Sequence, residues 1–205
     1  MTNDYNQKRE DALNFIKKIH TGQFRANKTP VWHHLDRVSK LLEIIMSETN
    51  EGDEKEREII CLAGLGHDSL EDTEVSEEEL KAYFGEQGLE LILGMTNRFG
   101  DNHPEPYVKQ ICESNEGVRL IKLSDLQENC ASVIYTIKEL GAKWTDEFFL
   151  PIVTPMIGAI IKTEFQTYPQ SAERLKNMVS ASYALLLNER EKFEEKQIQL
   201  EAPIY

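Results

Sequence analysis

The sequence predicts an all-α protein. Apolar residues recur at steps of three and four along most of the chain, no stretch alternates with period two over a useful length, and capping or breaking residues separate the periodic segments. No internal repeat is visible. At 205 residues the chain can bury one sizeable core without disulfides, so a single domain over 1–205 is expected, with a helical core over about 1–141 and a helical extension over about 142–205.

The first helix carries Ala12, Phe15, Ile16 and Ile19 on one face and stops near Gly22. Thr29 is suited to cap the second helix and Pro30 to be its first residue, after which Val31, Leu35, Val38, Leu42 and Ile45 make one stripe. A third helix begins in the acidic segment 51–58 and turns apolar through "IICLAGLGHD". Its Gly64 and Gly66 weaken helix propensity but let a neighbouring backbone or a ligand come close. Ser76 and Glu79 form a capping-box pattern that opens a short helix ending at Gly85, and "LELILGM" supplies the next. Residues 97–106, "NRFGDNHPEP", are loop chemistry. A helix from Tyr107 follows, then a break from Asn115 to Gly117, then a long amphipathic helix to Gly141. Pro151 and Pro155 interrupt "FFLPIVTPMIGAII", and "SAERLKNMVSASYALLLNEREKFEEKQ" is a long final helix with a charged end.

A formal charge of −13 repels a phosphate backbone, so nucleic acid is not the expected partner. A small anionic ligand remains compatible, because a bound cation and nearby Arg or Lys side chains outweigh distant charge. Cys61, Cys112 and Cys130 are odd in number and widely spaced, which fits small buried thiols in a reducing compartment. "MTNDYNQKRE" lacks the apolar core of a signal peptide, and the stretch 148–161 is too short and too broken by proline to cross a bilayer. A soluble cytoplasmic protein is expected.

Titratable groups are densest in "HDSLED". On a helix, His67 lies above Glu71, and Asp68 lies above both Glu71 and Asp72. Such crowding at the rim of a core is costly unless something positive sits among the groups, and a divalent metal is the simplest such thing. The commoner meaning of a His-Asp pair is a solvated helix end. Two distant residues bear on the choice. His34 falls on the apolar stripe of the second helix, whereas His33 turns about 100° away toward Arg37. His34 is either a satisfied core histidine or a ligand supplied by an adjacent antiparallel helix. Asp125 follows Leu120, Ile121 and Leu123 in a buried segment and needs a partner: Lys122 or a backbone N–H on one reading, the same metal on the other.

In order and spacing, "HTGQFRANKTPVWHHLDRVS", "GLGHDSLEDT", "YFGEQGLELILGMTN" and "RLIKLSDLQENC" resemble the hydrolase region of the RelA/SpoT family of HD-domain phosphohydrolases. The family pattern runs roughly HxGQxRKSGxPYxxHPxxVA, HDxxEDT, FGxxVxxxVxxxT and KLADRxxN, and the likeness covers about residues 20–135. The resemblance implies an all-helical HD-domain bundle that hydrolyses the 3′-pyrophosphate of guanosine tetra- and pentaphosphate, usually with manganese. By position, His34, His67, Asp68 and Asp125 resemble the metal ligands, a mixed nitrogen and oxygen set suited to manganese, iron, cobalt or zinc. Glu71 and Asp72 match the catalytic pair; Arg25, Asn129 and Ser132 match substrate-binding positions, the serine replacing a threonine. In such a site the metal acidifies water and an adjacent carboxylate accepts its proton.

The departures from the pattern are Ala26, Asn27, Lys28, Val31 and Leu126, which on this reading fall around the nucleotide and spare the metal shell. His20 matches the leading histidine and reads as structural, His103 as a loop residue, and Trp32 and Trp144 as core or interface packing. The resemblance implies a small stand-alone hydrolase, since the chain is too short for the family's synthetase and regulatory domains as well. One alternative keeps the site and changes the substrate to an adenine alarmone, a phosphorylated nicotinamide dinucleotide or another nucleotide phosphate. Another is a catalytically silent helical module that binds a nucleotide or a protein, against which the presence of both Glu71 and Asp72 weighs. The apolar helices of 142–205 are candidates for a homo-oligomer interface.

Overall fold

The structure, a computed structural model, describes residues 2–100 and 104–201, with side chains to Glu194; His103 lies outside them. The expected all-α class is found. The helices are α1 Asn3–Ile19, α2 Val31–Thr49, α3 Glu54–Gly66, α4 Ser69–Asp72, α5 Glu77–Met95, α6 Pro104–Glu113, α7 Glu116–Trp144, α8 Leu150–Ile160 and α9 Pro169–Glu201, with a π-helical turn, Thr145–Phe149, between α7 and α8. An isolated antiparallel bridge, Phe24 with Pro30, is the one extended pairing among the described residues.

The apolar stripes meet as the periodicity requires. Leu35, Val38, Leu42 and Met46 of α2, Ile60, Cys61, Ala63 and Leu65 of α3, Ile92 and Met95 of α5, and Leu120, Ile121 and Leu123 of α7 form one continuous cluster. Burying each large aliphatic side chain contributes about 1.5–3 kcal/mol, so α3 is held chiefly by its neighbours α2 and α5. Ile160 of α8 and Leu175 and Val179 of α9 join the same cluster. Two distant carboxylates dock the start of α9. Glu51 accepts from the Gln170 and Ser171 amides at 2.8 Å each, and Glu116 accepts from the Gln166, Thr167 and Tyr168 amides at 2.6, 3.0 and 3.1 Å. These bonds satisfy N–H groups that a helix start leaves without partners.

Local details differ from the sequence reading at several places. Thr29 does not cap α2: Pro30 occupies that position without a side-chain cap, and the Thr29 hydroxyl donates to Asn27 Oδ1 at 2.6 Å. The cause is a hairpin-like loop in which the Arg25 amide donates to the Thr29 carbonyl at 2.9 Å and Lys28 takes a left-handed φ of 62°. The helix that opens on the capping box continues past Gly85 as a kink rather than ending there, with Gly85 at φ 71° and ψ 176°. Gly141 makes a similar kink inside α7. Pro155 sits inside α8 rather than breaking it. Among the described residues no helix is long and apolar enough to cross a membrane. Cys61, Cys112 and Cys130 are free thiols.

The two glycines of α3 serve close approach. A Cβ on Gly64 would lie 2.8 Å from Leu42 Cδ1 of α2, and one on Gly66 would lie 2.8 Å from both Phe84 Cζ and Ile92 Cδ1 of α5. Gly66 immediately precedes His67, so this packing fixes where the imidazole emerges. Gly66→Ala should overpack the site and lower stability by about 1–3 kcal/mol. Urea unfolding reads this as a lower midpoint at unchanged slope; an unchanged midpoint would mean that Phe84 and Ile92 yield without cost.

Candidate metal centre

Three helical segments deliver four donor side chains to one place. His34 comes from α2, His67 and Asp68 from the turn between α3 and α4, and Asp125 from α7. The "HDSLED" stretch is thus a turn and a separate short helix rather than the end of one helix. Because His67 keeps φ/ψ of −61° and −31° and Asp68 −95° and 0°, its side chains nonetheless spread much as helical spacing implies. His34 Nε2 lies 3.6 Å from Asp68 Oδ2 and 3.2 Å from Asp125 Oδ1; His67 Nε2 lies 3.0 Å from Asp68 Oδ1 and 3.5 Å from Asp125 Oδ1. Donors sharing one ion at bonds of about 2.0–2.2 Å stand roughly 2.8–3.6 Å apart, so the spacing suits a single cation.

Ring orientation points the same way. His67 Nδ1 donates to the Gly64 carbonyl at 2.8 Å, which leaves Nε2 as the inward lone pair; that atom is buried and has no hydrogen-bond partner. His34 turns Nδ1 to the carboxylate of Glu128 and Nε2 inward. A ligating histidine has this arrangement, its far nitrogen fixed by a carbonyl or carboxylate. His34, His67 and Asp68 form a group able to hold a metal ion, and the residues fit one chemically.

Of the partners weighed for Asp125, Lys122 is present. Asp125 Oδ2 accepts from Lys122 at 2.8 Å, while Oδ1 faces the two imidazoles and accepts from Asn129 Nδ2 at 2.6 Å. Burial alone would lower the pKa of His34, but hydrogen bonds to Asp125, Asp68 and Glu128 outweigh it and raise the value to about 10. Burial would raise Asp125, yet the Lys122 ammonium and the two histidines hold it well below the usual carboxylate range. The same contest lowers Asp68 through His67 and His34.

Glu71 and Asp72 stand on α4, near enough to Asp68 and His67 to feel their charges. Glu71 accepts from the Asn97 amide at 2.6 Å, and the Asp72 carbonyl accepts from Gln23 Nε2 at 2.7 Å. A cavity of about 560 Å³ is lined by both acids together with Asn97 and Arg98. Partial desolvation by the cleft walls, with the nearby Asp68 charge, raises Glu71 to about 7 despite the Asn97 bond. Desolvation and Asp68 also raise Asp72.

The predicted substrate side chains lie on the other flank. Arg25 Nη2 donates to Asn129 Oδ1 at 2.7 Å, and Ser132 Oγ accepts weakly from Asn27 Nδ2 at 3.4 Å. Ser132, Asn27, Arg37, Lys40 and Tyr135 border a cavity of about 540 Å³. Leu126, grouped with the nucleotide side on sequence, is instead 3% exposed in the hydrophobic core. A further cavity, about 670 Å³, lies among Asp53, Glu116, Arg119 and Tyr168 and touches none of the predicted residues. His20 holds Gln23 Oε1 at 2.6 Å, so its structural role extends to the glutamine that reaches Asp72. Trp32 stacks on His33 with centroids 3.7 Å apart, and Trp144 on Phe149 at 6.3 Å, as packing residues do.

Sequence reasoning missed Glu128. It is 7% exposed, bonds His34, Arg25 and Arg37, and its carboxyl is held down to about 2, burial being outweighed by those cations. The available signal was its position three residues after Asp125, on the same face of a buried helix.

No family model matches the chain. In sequence it is similar to the guanosine-3′,5′-bis(diphosphate) 3′-pyrophosphohydrolase of Aquifex aeolicus, 30% identical over 187 residues that cover 83% of the chain and 25% of that protein. It is also similar to the GTP pyrophosphokinase of Myxococcus xanthus, 28% identical over 203 residues covering 92% and 25%. The chain spans about a quarter of the length of these curated relatives. Among solved structures it is similar to one described as a metazoan ortholog of SpoT that hydrolyzes ppGpp and plays a role in starvation responses, with TM-score 0.66, 20% identity and coverage of 86% of this chain and 94% of that one. The resemblance read from four motif blocks therefore extends over most of the chain, and the all-α fold is a shared one.

Proposed function

We propose that the chain, as a relative of the RelA/SpoT hydrolases, is a divalent-metal-dependent phosphohydrolase that removes the 3′-pyrophosphate of guanosine tetra- or pentaphosphate. The observation that carries this reading is the convergence of His34, His67 and Asp68 around the unpartnered His67 Nε2, with Asp125 facing both imidazoles and Glu71 and Asp72 on the helix that follows. Those four side chains would hold the ion, manganese on the family resemblance, with iron, cobalt and zinc compatible with the donor set. When bound, the ion supplies Lewis acidity to the reacting phosphate.

The chain's own groups supply the rest. Glu71, raised to about 7, is poised to take a proton from the attacking water at neutral pH. The water oxygen bonds to the phosphorus attached to the ribose 3′ oxygen, the bond to that oxygen breaks, and pyrophosphate departs. A proton must reach the released 3′ oxygen, and Asp72, whose carboxyl is also raised, is the neighbouring donor. Arg25 and Asn129 bind phosphate oxygens, and Ser132 offers a hydroxyl on the nucleotide flank.

The test is incubation of the purified chain and manganese with guanosine tetraphosphate, guanosine pentaphosphate, an adenine alarmone and a phosphorylated nicotinamide dinucleotide. Pyrophosphate release from the guanosine substrates, stopped by a chelator, is expected. Turnover confined to another member of the panel would reassign the substrate, and turnover of none would favour a silent binding module.

A further inference from the structure

We propose that Glu128 is the positioning residue that fixes His34 for the ion. This rests on the functional reading above, and it concerns a residue that the motif blocks do not single out. Glu128 is buried at 7% exposure, where an uncompensated carboxylate would be costly, and its oxygens are fully committed. Oε2 accepts from His34 Nδ1 and forms an ion pair with Arg25 Nη1 at 3.1 Å, while Oε1 accepts from Arg37 Nε at 2.7 Å and from Arg37 Nη2.

The bond to Nδ1 determines what the other ring nitrogen can do. With the Nδ1 proton directed at Glu128, Nε2 is the ring nitrogen turned to the side where Asp68 and Asp125 stand, and the ring cannot flip without losing a charge-assisted bond. Glu128 is itself held from both directions. Arg25 pairs with it and donates to Asn129 at 2.7 Å, and Asn129 donates to Asp125 at 2.6 Å, so the two sets of residues, ligands and phosphate binders, form one connected polar network. A shift of Glu128 moves His34 and Arg25 together.

A purely structural role, pinning α2 to α7, would be read in thermal stability alone. The discriminating experiment is titration of the chelator-treated full chain with manganese alone by calorimetry, and with cobalt followed by its visible absorption, for Glu128→Gln and Glu128→Leu. Gln keeps the size and one carbonyl acceptor; Leu removes both oxygens. Manganese affinity is expected to fall about 10-fold in Gln and about 100-fold in Leu, with a changed cobalt spectrum in each. Should Leu fail to fold, Gln decides. Unchanged ion affinity and cobalt spectrum in folded Gln protein would overturn the proposal and leave Glu128 a packing residue. Failure of the parent chain to bind any divalent ion is a separate result, and it would overturn the functional reading itself.

Discussion

Asp68→Ala is expected to abolish ion binding and turnover while leaving the fold close to its original stability. The Asp68 side chain is 29% exposed and faces the inward nitrogens of His34 and His67 at 3.6 and 3.0 Å. Removing it takes away one of the two proposed carboxylate ligands, while the main-chain packing of the α3–α4 turn stays in place. Asp125→Ala should behave differently. It leaves the Lys122 ammonium, now paired at 2.8 Å and with a side chain only 14% exposed, without its counter-charge. Breaking such a pair typically costs about 3–5 kcal/mol, so this variant should lose the ion and much of its stability together. Metal analysis after gel filtration and thermal unfolding in chelator separate the two effects. An Asp68→Ala protein that keeps a full equivalent of tightly bound ion would remove Asp68 from the ligand set.

Glu71→Gln should do the reverse, retaining the ion and losing turnover by about 10²–10⁴-fold, the usual worth of a positioned general base. Gln preserves the acceptor for the Asn97 amide and so leaves the α4 to α5 connection intact. The pH profile gives the sign. A carboxyl raised to about 7 is protonated, and useless as a base, below that pH, so kcat/KM should rise with pH through neutrality and level off above it. Substitution by Gln should erase this acidic limb from whatever activity remains. Persistence of the limb in the variant would assign the titration, and the proton transfer, to another group such as Asp72.

What the sequence made legible was local or repeated. The Ser76 and Glu79 capping box is present as expected, with both reciprocal bonds, because every atom it needs lies within four residues. His34 could be placed on the buried side because Leu35, Val38 and Leu42 define that side by their spacing, and all are fully buried. Asp125 was recognisable as buried for the same reason. What escaped depended on distance or on competing turns. Glu128 meets His34 across 94 positions, and a glutamate in a helix between Gln127 and Asn129 carries no mark of that encounter. Thr29 has the chemistry of a cap, but Asn27 competes for its hydroxyl in a loop whose left-handed turn at Lys28 no periodicity announces. The break after Gly66 was equally hidden, since α3, the turn and α4 keep nearly helical dihedrals throughout.

The provenance of the four donors has a consequence for the life of the protein as well as for its chemistry. They come from α2, the α3–α4 turn and α7, which only the folded chain assembles. An ion held by all four therefore binds the native state and not the unfolded one, and at free ion about a hundred times its dissociation constant it adds about 2.7 kcal/mol to stability. Metal supply would then govern how much protein survives proteolytic surveillance, so that scarcity withdraws the molecule itself and abundance preserves it.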